Sequence, residues 1–382
     1  MAEHAKLSAS SAKKWLNCAG SIALEKRIPK EESTFAQEGT TAHKLAEIKI
    51  KKALSQITQR DYANMIKTLK IDDDMNRHTD DYKDFVLTQY RKGLIHKNDV
   101  LIELEKRVDY SNYAPEGFGT SDVVIVTDRH IEIIDFKYGK GVKVDATNNY
   151  QLMLYALGAL NAYDWLYDIT NVTMTIFQPR LDNISSYEMS TSELYEWGKS
   201  IKEKAQKAYT ETGECVVGTH CTEGFCRAIP ICRAFAEYIQ TVNNSTGKKP
   251  RELTHDELID AIEKADNLAK WAKGIKEYVL QQMLQGVEFE GYKLVEGRKS
   301  RVFSIDDDEV AKILLEKGYT EDIVYKKEVR TVADMQKQLK VDFDSVLGQF
   351  VLVKRGSPTI APIDDSRPTY SSAESDFKEI KS

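Results

Sequence analysis

The stretch Ile131-Glu-Ile-Ile-Asp-Phe-Lys137 ends an apolar run on an acid and an amine two residues apart. Residues i and i+2 of a strand leave the same face, so Asp135 and Lys137 emerge side by side. A second acid, Asp122, opens the preceding β-branched run Ser121-Asp-Val-Val-Ile-Val126. Adjacent antiparallel strands of this length bring Asp122 and Asp135 to one place. Two carboxylates there would hold a hard cation, Mg²⁺ or Mn²⁺, with the Phe136 carbonyl as a further oxygen ligand. Lys137 beside them would orient an attacking water and balance charge developing on a phosphate. The competing reading of Asp135 and Lys137, taken alone, is two ordinary strand-end charges in water.

Other residues add to this pair. In "EGTTAH", Glu38 and Gly39 open a helix and His43 falls in its first turns; by itself it reads as a partly buried helix histidine. Gln151 and Tyr155 stand at i and i+4, on one face of the next helix, where an amphipathic surface would also align them. Cys221, Cys226 and Cys232 form a C-x₄-C-x₅-C group, Cys18 lies far upstream in "WLNC", and Cys215 is the fifth cysteine. Three cysteines in so short a stretch are too dense for packing alone. In a reducing compartment they favour ligation over disulfides. Thiolates suit iron–sulfur or zinc, and spacing does not choose between them.

The elements that would carry these groups follow from periodicity. The first hundred residues read mainly helical, with "FAQEGTTAHKLAEIKIKKAL" and "DDYKDFVLTQYRKGL" as the clearest segments. From Val100 the pattern shifts to strands: "DVLIELEKRVDYS", "SDVVIVTD" and, after the turn Asp128-Arg129, "HIEIIDFKYGK". A helix, "NNYQLMLYALGALNAY", and a strand, "NVTMTIFQP", complete the series. Helices, three neighbouring strands, helix and strand predict an α/β core with a mixed central sheet flanked by helices.

The chain of 382 residues is long enough for such a core plus an appendage. Its 41% apolar and 30% charged residues and mean hydropathy of -0.47 are those of a globular protein. No run approaches the ~18 apolar residues of a membrane helix, and "MAEHAKLSASS" lacks a signal peptide's apolar region, which predicts a cytoplasmic protein. The net charge of -6 is only weak evidence against nucleic-acid binding, because a carboxylate-rich site makes a nuclease acidic overall.

The ordered motifs GxxxH (Gly39 to His43), GxxD (Gly119 to Asp122), DxK (Asp135 to Lys137) and QxxxY (Gln151 to Tyr155) resemble the RecB-type branch of the PD-(D/E)xK nuclease superfamily. The resemblance covers roughly residues 5 to 240 and implies a restriction-endonuclease-like core. It makes His43, Asp122 and Asp135 metal ligands, and Lys137 the residue that positions or activates the water. Gln151 and Tyr155 would steady the site and contact the DNA strand. Ser121 stands where the motif label has proline. Cys18 with Cys221, Cys226 and Cys232 resembles the iron–sulfur nucleases of the superfamily, AddB and the CRISPR adaptation nucleases among them, in which a [4Fe-4S] cluster ties the two ends of the chain. Their usual C-terminal pattern is C-x₂-C-x₅-C, so the first gap here is longer. Cys215 could replace Cys18, but "WLNC" matches the family's N-terminal stretch, which leaves Cys215 a bystander.

The resemblance implies a Mg²⁺- or Mn²⁺-dependent deoxyribonuclease, an exonuclease serving phage-type DNA recombination, replication or repair in a bacterial host. DNA is the partner, with a phage single-strand-annealing or single-strand-binding protein as a second. The alternatives are a non-catalytic DNA-binding or assembly protein that keeps fold and cluster, and a zinc-stabilised interaction module. The expected domains are 1–240 for the nuclease, 241–252 for a linker, 253–356 for a C-terminal helix with a small α+β region, and 357–382 for a disordered tail. In the third region a Thr254–Glu257 capping box would start a helix with an apolar stripe from Leu258 to Met283. "VEFEGYKLVEGR" reads as a hairpin. It resembles, with "WAKGIKEYVLQQML" before it, phage and prophage proteins that carry this core. Lys293, Arg298, Lys299 and Arg301 would form a basic edge for phosphates or an ordinary solvated face.

Overall fold

The computed structural model describes residues 5–28, 34–96, 100–243, 255–293, 307–318, 320–325, 342–348 and 351. The chain divides into two compact units, 1–294 and 295–382. In the first, helices α1 (Ala12–Asn17), α2 (Ser21–Glu25), α3 (Thr34–Ala53), α4 (Gln59–Ile66) and α5 (Asp73–His96) precede strands β1 (Leu101–Asp109), β2 (Phe118–Thr127) and β3 (His130–Phe136). Helix α6 (Tyr150–Tyr163) leads to β4 (Asn171–Gln178) and β5 (Asn183–Ser190). Helices α7 (Thr191–Tyr209), α8 (Thr219–Thr222), α9 (Arg233–Asn243) and α10 (His255–Leu284) complete it. The second unit contributes α11 (Asp307–Glu316), α12 (Glu321–Val324) and α13 (Asp342–Val346).

The sheet runs β1-β2-β3-β4-β5, antiparallel throughout except for the parallel pair β3–β4. A parallel pair needs a crossover, and α6 supplies it. That helix is apolar almost all round, as a helix buried between sheet and outer helices must be. On one face of the sheet Ile131 and Ile133 pack with α6, α1 and α7; on the other Ile134 and Phe136 pack with α3 and α5. Each such side chain, fully buried, contributes about 1.5–3 kcal/mol relative to exposure. The α/β class and mixed sheet are as the periodicity predicts. The strand β5 and helix α7 go beyond it, because "NISSYEMS" alternates too weakly to announce a strand.

Glu132 is a carboxylate in the middle of β3, paired between Ile125 and Thr173. Burial pushes its carboxyl up to about 7 against the opposing pull of Lys92. A folded pKa above the unfolded 4.5 means a destabilising contribution that grows as pH rises from 4.5 through 7. Glu132→Gln should therefore raise the melting temperature at pH 8 and change it little at pH 5. Equal shifts at both values would show that the carboxyl is not desolvated.

The C-terminal boundary differs from the expectation. Helix α10 belongs to the first unit, with Trp271 against the cluster of Cys221, Phe235 and Ile239 and Gly274 against Pro230, so the core unit does not end at 240. The helix docks through Trp271 and Gly274 rather than through the whole apolar stripe: Ile262 and Leu268 are exposed. No strand forms over 287–293, the described part of the expected hairpin. The residues 244–254, Thr254 of the capping box among them, the sites Arg298, Lys299 and Arg301, and the tail 357–382 lie outside the described residues.

Candidate metal centre

Strand pairing sets the centre. Val123 pairs with Ile134, so Asp122 comes opposite Asp135 one step further along the antiparallel register. The N–H of Phe136 donates to Asp122 Oδ2 at 2.7 Å. N–H and C=O of one strand residue point to the same neighbour, so the Phe136 carbonyl also faces the Asp122 side. From α3, His43 Nδ1 lies 3.1 Å from Asp122 Oδ1, and its ring meets Phe136 edge-on. From α6, Gln151 Nε2 donates to Asp135 Oδ1 at 3.0 Å and to the Tyr155 hydroxyl at 3.3 Å. Lys137 Nζ donates to Gln151 Oε1 at 2.9 Å and lies 2.9 Å from Asp135 Oδ2 as an ion pair. That buried oxygen otherwise has no hydrogen bond of acceptable geometry. Asn149 fixes the first turn of α6 by accepting from the N–H groups of Gln151 and Leu152, which aims Gln151 at the strand end.

Glu105 joins the group although period-two alternation hides it. Pairs Leu104–Val123 and Lys106–Ser121 place Glu105 opposite Asp122. Glu105 has φ +50°, the left-handed region, unusual for a residue inside a strand. The alternation changes phase there. Leu104 and Glu105, and likewise Asp122 and Val123, line the same small cavity with His43 and Phe136. Beyond the shift Val108 faces α6 instead of α3. The ligand atoms of His43, Glu105 and Asp122 lie within 4.8 Å of one another, the spacing of a cation site. Asp135 falls outside that trio, turned towards Lys137 and Gln151.

The charges are coupled. Burial alone would lower the His43 pKa, but the Asp122 carboxylate and its hydrogen bond dominate and raise it to about 9. Burial would raise Asp122, yet the His43 charge and hydrogen bond and the Phe136 N–H bring it below the usual range. Asp135 is raised by burial and by Asp122, with Lys137 opposing. Burial and then Asp122 push Glu105 up to about 7. Three carboxyls crowd one end of a sheet with too little positive charge to match them, which is the condition a divalent cation relieves.

The GxxD glycine has a steric reason. A Cβ on Gly119 would stand 2.7 Å from Tyr155 Cε1, so only glycine lets that ring lie against β2. Gly119→Ala should displace the ring, break the Gln151–Tyr155 contact and cost about 1–3 kcal/mol in a urea melt, as overpacking does. A wild-type midpoint would show that the ring moves freely. Gly39, in contrast, has open space where its Cβ would stand, on the cleft lined by Thr40, His43, Lys44 and Glu105.

The cysteines meet where the N-terminal segment touches the segment after α7. Gly20 N–H donates to Glu214 O at 3.0 Å, and Val216 N–H to Cys18 Sγ at 3.4 Å. Lys14 pairs with Glu25 at 2.9 Å, and Glu25 accepts from Arg227 N–H at 2.8 Å. Cys221 Sγ lies 4.0 Å from Val216 O. Cys215, which the family pattern leaves out, is within hydrogen-bond reach of Cys18 and Cys232; burial first, then Cys18, pushes its thiol up to about 12. Cys226, which the pattern includes, is flanked by Glu25, Lys14 and Cys221. No three thiols lie mutually within the 4.8 Å that the His43 trio satisfies among the described residues.

Comparison with known proteins places the chain in a family. The sequence matches the family described as "Protein of unknown function (DUF2800)" over residues 4–368. The chain belongs to the DUF2800 family. The DUF2800 match spans both units and carries no statement of activity. The solved structure described as "Crystal structure of SSO0001" aligns with 56% of this chain and 95% of its own, at 12% identity and a TM-score of 0.22, a likeness too weak to define the core. Among the described residues no helix is long and apolar enough to cross a membrane.

Proposed function

We propose that the chain is a Mg²⁺- or Mn²⁺-dependent DNA nuclease built on a RecB-type PD-(D/E)xK core. The observation that carries this reading is the convergence of His43, Asp122, Asp135, Lys137 and Gln151, from two helices and two strands, on one sheet end. The donor set fits a hard cation: His43, Glu105 and Asp122 share one spot, and Asp135 stands across from Asp122 with its buried Oδ2 paired to Lys137. A bound cation would supply Lewis-acid polarisation of a phosphodiester and of water.

The residues do the rest. At neutral pH His43 is protonated and pairs with Asp122; cation loading must displace that proton, so loading strengthens as pH rises. Lys137, fixed by Gln151 and Asp135, has a further N–H free to hold the attacking water or a phosphate oxygen in line. Tyr155, its hydroxyl held neutral by burial, orients Gln151.

The thiol group is read as a structural [4Fe-4S] site on Cys18, Cys221, Cys226 and Cys232. Zinc on the same thiols is the alternative. The reading includes exonuclease action in phage-type recombination in the bacterial cytoplasm, beside a single-strand-annealing or single-strand-binding partner. The test is incubation of end-labelled linear, circular and single-stranded DNA with Mg²⁺ or Mn²⁺. Metal-dependent release of short products from linear ends is expected; no cleavage of any substrate with either ion overturns the nuclease.

A further inference from the structure

Arg180 has an arrangement that the metal centre does not use. It stands in the turn Pro179–Leu181 that leaves β4. That turn adjoins the end of β3, since Phe136 pairs with Phe177 and Lys137 N–H donates to Phe177 O at 2.9 Å. The guanidinium is held from two sides. Nη1 donates to Glu38 Oε1 at 2.8 Å, and the Tyr138 ring lies 4.7 Å from it, centre to guanidinium carbon. The side chain is only 19% exposed. Glu38 occupies one of five N–H donors, and no other hydrogen bond from Arg180 occurs among the described residues.

A purely structural tie between α3 and the turn would explain the ion pair. It would not explain a guanidinium stacked on a ring with four of its five N–H groups unmatched among the described residues. A planar fork with open N–H groups matches two oxygens of a phosphate. Its location sets which phosphate. Glu38 precedes His43 by five residues, about 7.5 Å along the helix. That exceeds the reach of a metal ligand and equals roughly two nucleotides of strand rise.

We propose that Arg180, stacked on Tyr138 and oriented by Glu38, forms a subsite for a DNA phosphate one or two nucleotides from the scissile bond. The proposal rests on the nuclease reading for the position of that bond, not for the binding itself. Arg180 is a binding residue that positions the strand; it takes no part in the chemistry.

The test uses the full chain with Arg180→Ala, Arg180→Lys and Tyr138→Leu, each checked for an unchanged melting temperature. Binding of a fluorescein-labelled oligonucleotide is followed by anisotropy without divalent metal, across a salt series. Cleavage is followed with Mn²⁺. Arg180→Ala should raise both Kd and KM about 10-fold with kcat within about two-fold, and flatten the slope of log Kd against log salt by about one. Arg180→Lys should restore the slope but only part of the affinity, because a lysine has no fork. Tyr138→Leu, which keeps the Glu38 pair, should fall between wild type and Arg180→Ala. Wild-type Kd and slope in Arg180→Ala overturn the subsite, as does a loss that appears only where the melting temperature falls. DNA binding that depends on Arg180 without cleavage by any metal overturns the nuclease reading and leaves the subsite. Protein that binds no DNA overturns both.

Discussion

Asp135→Asn should abolish metal-dependent cleavage, by about three orders of magnitude or more, while the melting temperature holds or rises. The two halves of this expectation have different origins. Asparagine keeps the shape of the side chain and can still meet Gln151, so packing at a residue only 3% exposed is preserved. It removes a charge that burial and the Asp122 carboxylate both disfavour, so the fold loses nothing it depends on. It also removes the anionic oxygen that a cation needs and the partner that holds Lys137 at 2.9 Å. Lys137→Ala should lower cleavage as far but also lower the melting temperature, because it leaves the buried Asp135 Oδ2 without its partner. The measurement is single-turnover cleavage with saturating Mn²⁺ beside a thermal melt without metal. Near wild-type turnover in Asp135→Asn would remove Asp135 from the site. A large fall in melting temperature would make it a structural residue.

The same centre shows what the sequence carries and where it stops. Asp122, Asp135 and Lys137 were legible because β2 and β3 keep strict alternation where they pair, and a two-residue turn fixes their register. Gln151 and Tyr155 were legible because one helix face carries both. Glu105 was not. Simple alternation in "LIELEKRV" puts it on the opposite face from Leu104, and only the left-handed residue at 105 brings both to one side. A single backbone angle of that kind leaves no mark in composition or periodicity. The place of Cys215 was hidden for a related reason: it depends on how the segment after α7 lies along Gly20, where a Cβ would stand 2.7 Å from the Cys215 sulfur. The apolar stripe of α10 announced a packed face but not which residues make the contact, Trp271 against the cluster around Phe235 and Gly274 against Pro230.

Cys18→Ser should bleach anaerobically purified protein and lower its melting temperature by about 10 °C, the shift expected of a lost cross-link of a few kcal/mol in a unit of this size. Cys18 precedes every group of the candidate metal centre, and Cys221, Cys226 and Cys232 follow all of them. A ligand set drawn from both ends closes a loop around the whole sheet, and binding energy at such a site becomes folding energy. These ends are also joined by contacts that involve no thiol, through Gly20 with Glu214 and through Lys14, Glu25 and Arg227. Those contacts limit the loss to a destabilised fold instead of an unfolded chain. Wild type should be brown, with broad visible absorption and about four irons per chain for a cubane. Cys221→Ser, Cys226→Ser and Cys232→Ser should bleach it likewise. The deciding pair is Cys226→Ser against Cys215→Ser. The turn in which Cys226 N–H donates to Cys221 O at 3.0 Å keeps Cys226 next to a ligand, so its loss should cost the colour while Cys215→Ser retains it. The reverse result would mean that the thiols coordinate as they stand in the structure, with Cys215 beside Cys18 and Cys232 as the fourth ligand. Zinc in place of iron in an iron-replete anaerobic preparation would remove the cluster and leave the tether.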